Sequence, residues 1–216
     1  MRNVRLIYTK TDRMKFVSHL DMNRYFIRLF RVAGVPIWYT EGFNQHPYIS
    51  FALPLSLGFQ SEYEIVDFKI TDDNFTNEML LEELNRHAVP GIRFLEAFDA
   101  VLNAKYITSS VYEITARGEN SELVSLKEFF SKNEIIALKK NKKGKFNEIE
   151  ISKHISDFSI EIKGDSAVIS VTLPSGNDLN INPTLYFDTF AKETGISLDY
   201  SVVRKSVLDY LGRIFR

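Results

Sequence analysis

Cysteine is absent from the 216 residues. That single absence removes disulfide scaffolds, thiolate-bound zinc, iron–sulfur clusters and a thiol nucleophile together. Net charge is nearly absent too, with 27 basic against 28 acidic side chains. A uniformly basic coat for nucleic acid is therefore excluded, and any such surface must be local. No apolar run reaches membrane-spanning character: the longest uncharged stretch, Gly42 to Ser61, is broken by Asn44, Gln45, His46, Pro47, Pro54 and two glycines. The amino-terminal sequence MRNVRLIYTKTDRMKF lacks the apolar core and small-residue cleavage site of a secretory signal. With no cysteine, signal or membrane anchor, the expected location is cytoplasmic. No cofactor and no metal are expected.

What the chain does have is material for a core: 44% hydrophobic residues, including 17 Phe and 10 Tyr. The length suits one large domain or two of about 100 residues each. The balanced charge hides a segregation. Residues 1–31 hold Arg2, Arg5, Lys10, Arg13, Lys15, Arg24, Arg28 and Arg31 against only Asp12 and Asp21, whereas residues 41–99 are strongly acidic.

Periodicity gives the element order. Val4–Tyr8 reads as a strand that Met14–Val17 continues, and Ser18-His19-Leu20-Asp21 opens a helix. On that helix Met22, Phe26, Leu29, Phe30 and Ala33 share one face and Arg24, Arg28 and Arg31 the other, until Gly34 and Pro36 end it. Ile37–Thr40 reads as a short strand, Ile49–Leu57 alternates as a strand, and Tyr63–Ile70 is another. A helix over Asn77–Ala88 and a strand over Gly91–Phe98 complete a β-α-β-β-α-β order, the ferredoxin-like arrangement. Phe26, Phe30, Phe51, Leu53, Val66, Leu80 and Leu84 are its expected core.

After residue 104 a similar order begins: a strand over Tyr106–Ala116, a helix over Ser121–Lys132, and hairpins around Asn141-Lys142-Lys143-Gly144 and Gly164-Asp165. Lys139, Lys140, Lys142, Lys143 and Lys145 sit at the tip of the first hairpin, as a soluble turn or a phosphate contact. A helix follows from Asn182-Pro183 to Gly195, and the spacing of Val203, Val207, Tyr210, Leu211 and Ile214 predicts a terminal amphipathic helix over Ser201–Ile214. The fold class is thus α+β. Two ferredoxin-like subdomains are expected, 1–102 and 103–216, the second with extra hairpin strands and a C-terminal helix.

Residues 18–64 concentrate the special side chains. They read Ser-His-Leu-Asp, Arg24, Ala33-Gly34, Pro36, Tyr39, Gly42-Phe43-Asn44, His46-Pro47, Ser50-Phe51-Ala52, Pro54-Leu55, Gly58, Ser61 and Glu64. This pattern resembles the radical SAM-linked protein family, a domain of unknown function found fused to or beside radical SAM enzymes. Thr40, Gln45 and Val32 depart from the family's usual residues, and none of the three removes an acid, a base or a ligand. The resemblance implies an accessory domain whose partner is a radical SAM enzyme. Lacking cysteine, this chain cannot itself ligate such an enzyme's cluster.

A helix start favours anions, which places His19 and Arg24 where a phosphate would bind. The candidate ligand-binding set is His19, Asp21, Arg24, Arg28, Arg31, Tyr39, Asn44, His46, Ser61 and Glu64. Converging, they would form a His/Arg/Glu pocket for RNA or another phosphate-bearing substrate. Five of them have a plainer reading: Asp21 as a cap, His46 as a loop histidine and the three arginines as a solvated face. A metal-independent ribonuclease using His19 and His46 as acid and base is the catalytic alternative, and a protein–protein adaptor the third.

Overall fold

Two units make up the chain, Met1–Tyr106 with Phe215–Arg216, and Ile107–Ile214. The computed structural model describes residues 1–140, 144–176 and 178–216, without the side chain of Lys140. The hairpin turn expected at Asn141-Lys142-Lys143 lies outside the described residues.

The first unit runs β1 (Arg2–Lys10), α1 (His19–Val32), β2 (Ile49–Phe51), β3 (Gln60–Ile70), α2 (Asn77–His87) and β4 (Ile92–Asp99). Its strands are ordered β4-β1-β3 with β2 on β3, and each pairing is antiparallel. This is the expected β-α-β-β-α-β unit. The helix α1 starts where Ser18 Oγ accepts the Asp21 backbone N–H at 3.2 Å, and Thr76 caps α2 in the same way from Met79. Gly34, at φ 64°, turns the chain out of α1 in a conformation other residues rarely adopt.

Alternation sorts the sheet into two faces. Val4, Leu6 and Tyr8 of β1 and Val66, Phe68 and Ile70 of β3 join Phe26, Leu29 and Phe30 of α1 and Leu80 and Leu84 of α2 in one core. At its centre the Phe26 ring meets Tyr8, Phe30, Phe51 and Phe94 edge-on at centroid distances of 5.1 to 5.8 Å, a favoured geometry for aromatic pairs. Of the expected core, Phe51 and Leu53 are only partly buried.

Three expectations for this half need correction. Met14–Val17 does not continue β1, because Asp12–Phe16 winds into a 3-10 turn. Ile37–Thr40 is no strand: only the isolated bridges Ile37 to Ile70 and Tyr39 to Pro47 form. The strand expected over Ile49–Leu57 stops at Phe51, since Pro54 offers no ladder donor.

The second unit runs β5 (Ile107–Arg117), α3 (Asn120–Phe130), β6 (Ile136–Lys140), β7 (Phe146–Glu150), β8 (Ser156–Lys163), β9 (Ser166–Pro174), α4 (Thr184–Thr194) and β10 (Asp199–Asp209). Its main sheet is ordered β10-β5-β9-β8 and antiparallel. The β6–β7 hairpin pairs by itself. Without that hairpin the order is again ferredoxin-like, so the α+β reading of both halves holds. The last helix is α4, which Gly195 ends at φ 75°.

The helix expected over Ser201–Ile214 is instead the strand β10 and a turn. Tyr210, Leu211 and Ile214, which suggested a buried helical face, are more than half exposed. The buried side chains are Val202, Arg204, Val207 and Asp209, with Val202 opposite Ile114 and Val207 opposite Ser110. Three valines favour extended backbone, and pairing with β5 decides between the two periods.

Candidate functional site

The motif segment folds around the start of α1. The Ser18 hydroxyl donates to Asp21 Oδ2 at 2.7 Å, and Arg24 Nη1 donates to Asp21 Oδ1 at 2.9 Å. The hydrogen bond from Ser18, followed by that from Arg24, holds the Asp21 carboxyl below the usual carboxylate range. Asp21 is therefore a cap and a counter-ion for Arg24. Arg28 and Arg31, further along the same exposed face, have no carboxylate partner among the described residues.

His19 is exposed, with its ring edge-on to Phe51 at 5.0 Å. It borders a cavity of about 10 Å³, lined also by Tyr8, Lys10, Met22, Phe51 and Glu64. That is room for about one water. Glu64 and Lys10 are each 3% exposed, and Lys10 Nζ donates to the Val17 carbonyl at 2.8 Å. Ser61 is fully buried nearby on β3. Glu64 therefore points inward, on the strand face it shares with Val66, Phe68 and Ile70.

His46 is committed to its own turn. Its Nδ1 lies 3.1 Å from Thr40 Oγ1 and 3.0 Å from the Asn44 carbonyl, and its backbone N–H donates to Thr40 Oγ1 at 3.2 Å. Asn44 and Tyr39 are exposed on the same loop. The fold therefore brings His19 and Glu64 to one small cavity. Neither Asp21 nor His46 lines it, and the single His/Arg/Glu pocket does not form. Among the described residues no group of three or more His, Asp or Glu side chains is placed to hold a metal ion.

A larger site lies on the opposite face of the same sheet. A cavity of about 400 Å³ is lined by Asn3, Arg5, Tyr48, Ser50, Asp67 and Lys69 together with the segment 100–104. Strand register explains the set: Asn3 stands opposite Lys69, Arg5 opposite Asp67, and Ser50 opposite Asp67 on the other side. Directly paired residues share a face. Arg5 is 1% exposed; its Nε and Nη2 bond the Asp67 carboxylate at 2.8 and 2.7 Å, and Nη2 also reaches the Leu102 carbonyl. Its Nη1 is buried with no hydrogen-bond partner. Lys69 Nζ lies 4.7 Å from the Trp38 ring centroid and 5.4 Å from that of Tyr48.

These residues escaped the reading of the sequence, which followed the apolar face of each strand. The signal was the other face, where Asn3 and Arg5 alternate with Val4 and Leu6, and Asp67 and Lys69 with Val66 and Phe68. Phe215 and Arg216 add to this face: the Arg5 guanidinium sits over the Phe215 ring at 4.4 Å, Tyr63 Oη donates to the Phe215 carbonyl at 3.0 Å, and Arg216 pairs with Glu96. Burial, with Glu96 next in weight, pushes the Tyr63 phenol up to about 12.

Comparison with solved structures bears on the fold. One chain of a crystal structure of a Cbf5-Nop10-Gar1 complex superposes with a TM-score of 0.51 at 10% identity, over 94% of this chain and 48% of that one. This chain thus spans about half the length of that structure, and the likeness is one of fold. An unknown protein from Galdieria sulphuraria and a putative glycine cleavage system transcriptional repressor also match, each at 10% identity over 94% of this chain and 98% of the other, with TM-scores of 0.28 and 0.26. No curated protein matches the sequence. A family model matches residues 3–183, which takes in the whole motif segment and most of both units, and the chain belongs to that family, DUF2344, uncharacterized proteins conserved in bacteria.

Proposed function

We propose that this chain is a cytoplasmic accessory module that works beside a radical SAM enzyme and binds RNA. The partnership rests on the resemblance of residues 18–64 to radical SAM-linked proteins, and the RNA on one observation. On the exposed face of α1, Arg24 is paired with Asp21, whereas Arg28 and Arg31 have no carboxylate partner among the described residues. Two free guanidiniums one turn apart suit two successive phosphates, by bidentate bonds that carry no sequence information.

Binding is the reading favoured over catalysis. His46 is held by Thr40 and Asn44, and His19 packs on Phe51, so nothing supports an acid–base couple between them.

A salt titration of binding to a pool of cellular RNA tests the proposal. Two phosphate contacts contribute a log–log slope of about −1.4 to −1.8. Changing Arg28 and Arg31 together to Gln flattens the slope by that amount and weakens binding about tenfold. If the wild-type chain binds no RNA even at low salt, the RNA reading fails and an adaptor role takes its place.

A further inference from the structure

We propose that the 400 Å³ cavity on the open face of the first sheet is a binding site for a nucleoside monophosphate, with its phosphate on Lys69 and its base against Tyr48. This goes beyond RNA contact along α1, because it places a second site on the other face of the sheet, built from different residues.

The balance of charge identifies the anion. Among the charged side chains lining the cavity, Arg5 and Asp67 neutralise one another through two short bonds. That leaves Lys69, which has no carboxylate partner among the described residues and is held in place by the Trp38 and Tyr48 rings. Arg5 Nη1 is a further buried donor without an acceptor. The lining therefore carries one cation and one donor in excess of its acceptors, and a group that accepts hydrogen bonds and bears negative charge completes it.

The size and the remaining groups identify the rest of the ligand. A cavity of this volume lies in the range of small-molecule sites, and a bare phosphate would fill only a fraction of it. Tyr48 is 40% exposed, so part of its ring is open to a planar base, the sequence-tolerant contact that proteins use for nucleotides. The Asn3 amide and the Ser50 hydroxyl supply donors and acceptors for sugar hydroxyls or a base edge. The same chemistry is presented by a free mononucleotide and by one nucleotide of an RNA strand.

Trp38 is the only tryptophan in the chain, and it touches both Lys69 and Tyr48, so its fluorescence reports on the site. The experiment titrates the full chain with adenosine and uridine 5′-monophosphates, inorganic phosphate and a short oligoribonucleotide. Calorimetry provides the second readout, and circular dichroism checks the fold of each variant. A saturable emission change is expected with the mononucleotides, with binding about tenfold weaker in both Lys69→Gln and Tyr48→Ala and unchanged in Arg28→Gln/Arg31→Gln. That last variant separates this site from the RNA reading, since each can fail while the other stands. Binding of the oligoribonucleotide alone, lost in Lys69→Gln, assigns the nucleotide to RNA and upholds the site. Inorganic phosphate binding as tightly as the mononucleotides overturns the proposal, as does the absence of binding by any probe at millimolar concentration.

Discussion

Arg5 and Asp67 stand opposite one another on neighbouring strands, the guanidinium almost wholly buried and the carboxylate 23% exposed, and two hydrogen bonds under 3 Å join them. Removing the carboxylate leaves a buried cation unpaired, whereas removing both groups does not. Asp67→Asn should therefore destabilise the protein by about 3 kcal/mol. The double variant Arg5→Met/Asp67→Leu should cost less than Asp67→Asn alone. Urea denaturation of wild type, Asp67→Asn, Arg5→Met, Asp67→Leu and the double variant tests this, and strictly additive losses in the cycle of Arg5→Met and Asp67→Leu would mean that the pair acts as two independent side chains.

Phe26 meets five other rings edge-on and is completely buried. Phe26→Ala should cost about 3–5 kcal/mol through the cavity it leaves. His46→Ala, at an exposed loop position, should stay within about 0.5 kcal/mol. Thermal melts of the two variants should differ accordingly. A His46→Ala loss as large as that of Phe26→Ala would show that the Thr40–His46 turn anchors the fold.

The Asp21 carboxyl, held low by Ser18 and Arg24, ties the start of α1 to pH. Its folded value lies below the unfolded one, near 3.8, so its contribution is complete above that pH and is lost as the pH falls through the folded value. The stability difference between wild type and Asp21→Asn should thus be present at neutral pH and shrink as the pH falls below 3.8. A difference that grew in acid would reverse the assignment.

Gly91 precedes β4 at φ 91°, and a Cβ placed there would lie 2.6 Å from the Thr11 carbonyl oxygen. That carbonyl accepts from Met14 in the 3-10 turn. Gly91→Ala should be destabilising by more than the roughly 1 kcal/mol of ordinary glycine replacements, because both the dihedral and the contact oppose it. Gly164→Ala, strained in φ but with open space around the added carbon, should cost less. Equilibrium denaturation of the two variants makes the comparison.

The helices were legible in the sequence because their signals are local. Ser18 and Gly34 bracket α1 and Asn182 and Gly195 bracket α4, so capping signals placed the ends of both within a residue or two, while the apolar spacing of Met79, Leu80, Leu81 and Leu84 placed α2. The strand β10 was not legible. Val203 and Val207 satisfy a helical spacing as well as they fit a strand, and the decision came from β5, about ninety residues earlier, whose edge needs a partner. Charge was misleading for a related reason. Of the basic residues that crowd the first stretch of sequence, Arg5 is neutralised by Asp67, Lys10 is buried against the Val17 carbonyl, and Arg24 is paired with Asp21. Counting along the chain overstates the basic surface, since folding chooses which cations meet a partner. The grouping of the motif residues was not legible: His19 and His46 are close in the sequence pattern and separate in surroundings.

The order of strands in the second unit bears on how the chain is made. β10 leaves the ribosome after every other strand, yet its place is beside β5, the first strand of that unit. While the chain is still being synthesised, β5 can pair with β9 but must wait for its second neighbour, with one row of backbone donors and acceptors turned to water. Phe215 and Arg216, which cover part of the first unit's open face, emerge later still. Both units are thus completed only once residues 199–216 have been made. A ribosome stalled before residue 199 would carry a nascent chain whose second sheet lacks a strand and whose first unit lacks the cover of Phe215 and Arg216, the kind of species that chaperones hold and proteases remove.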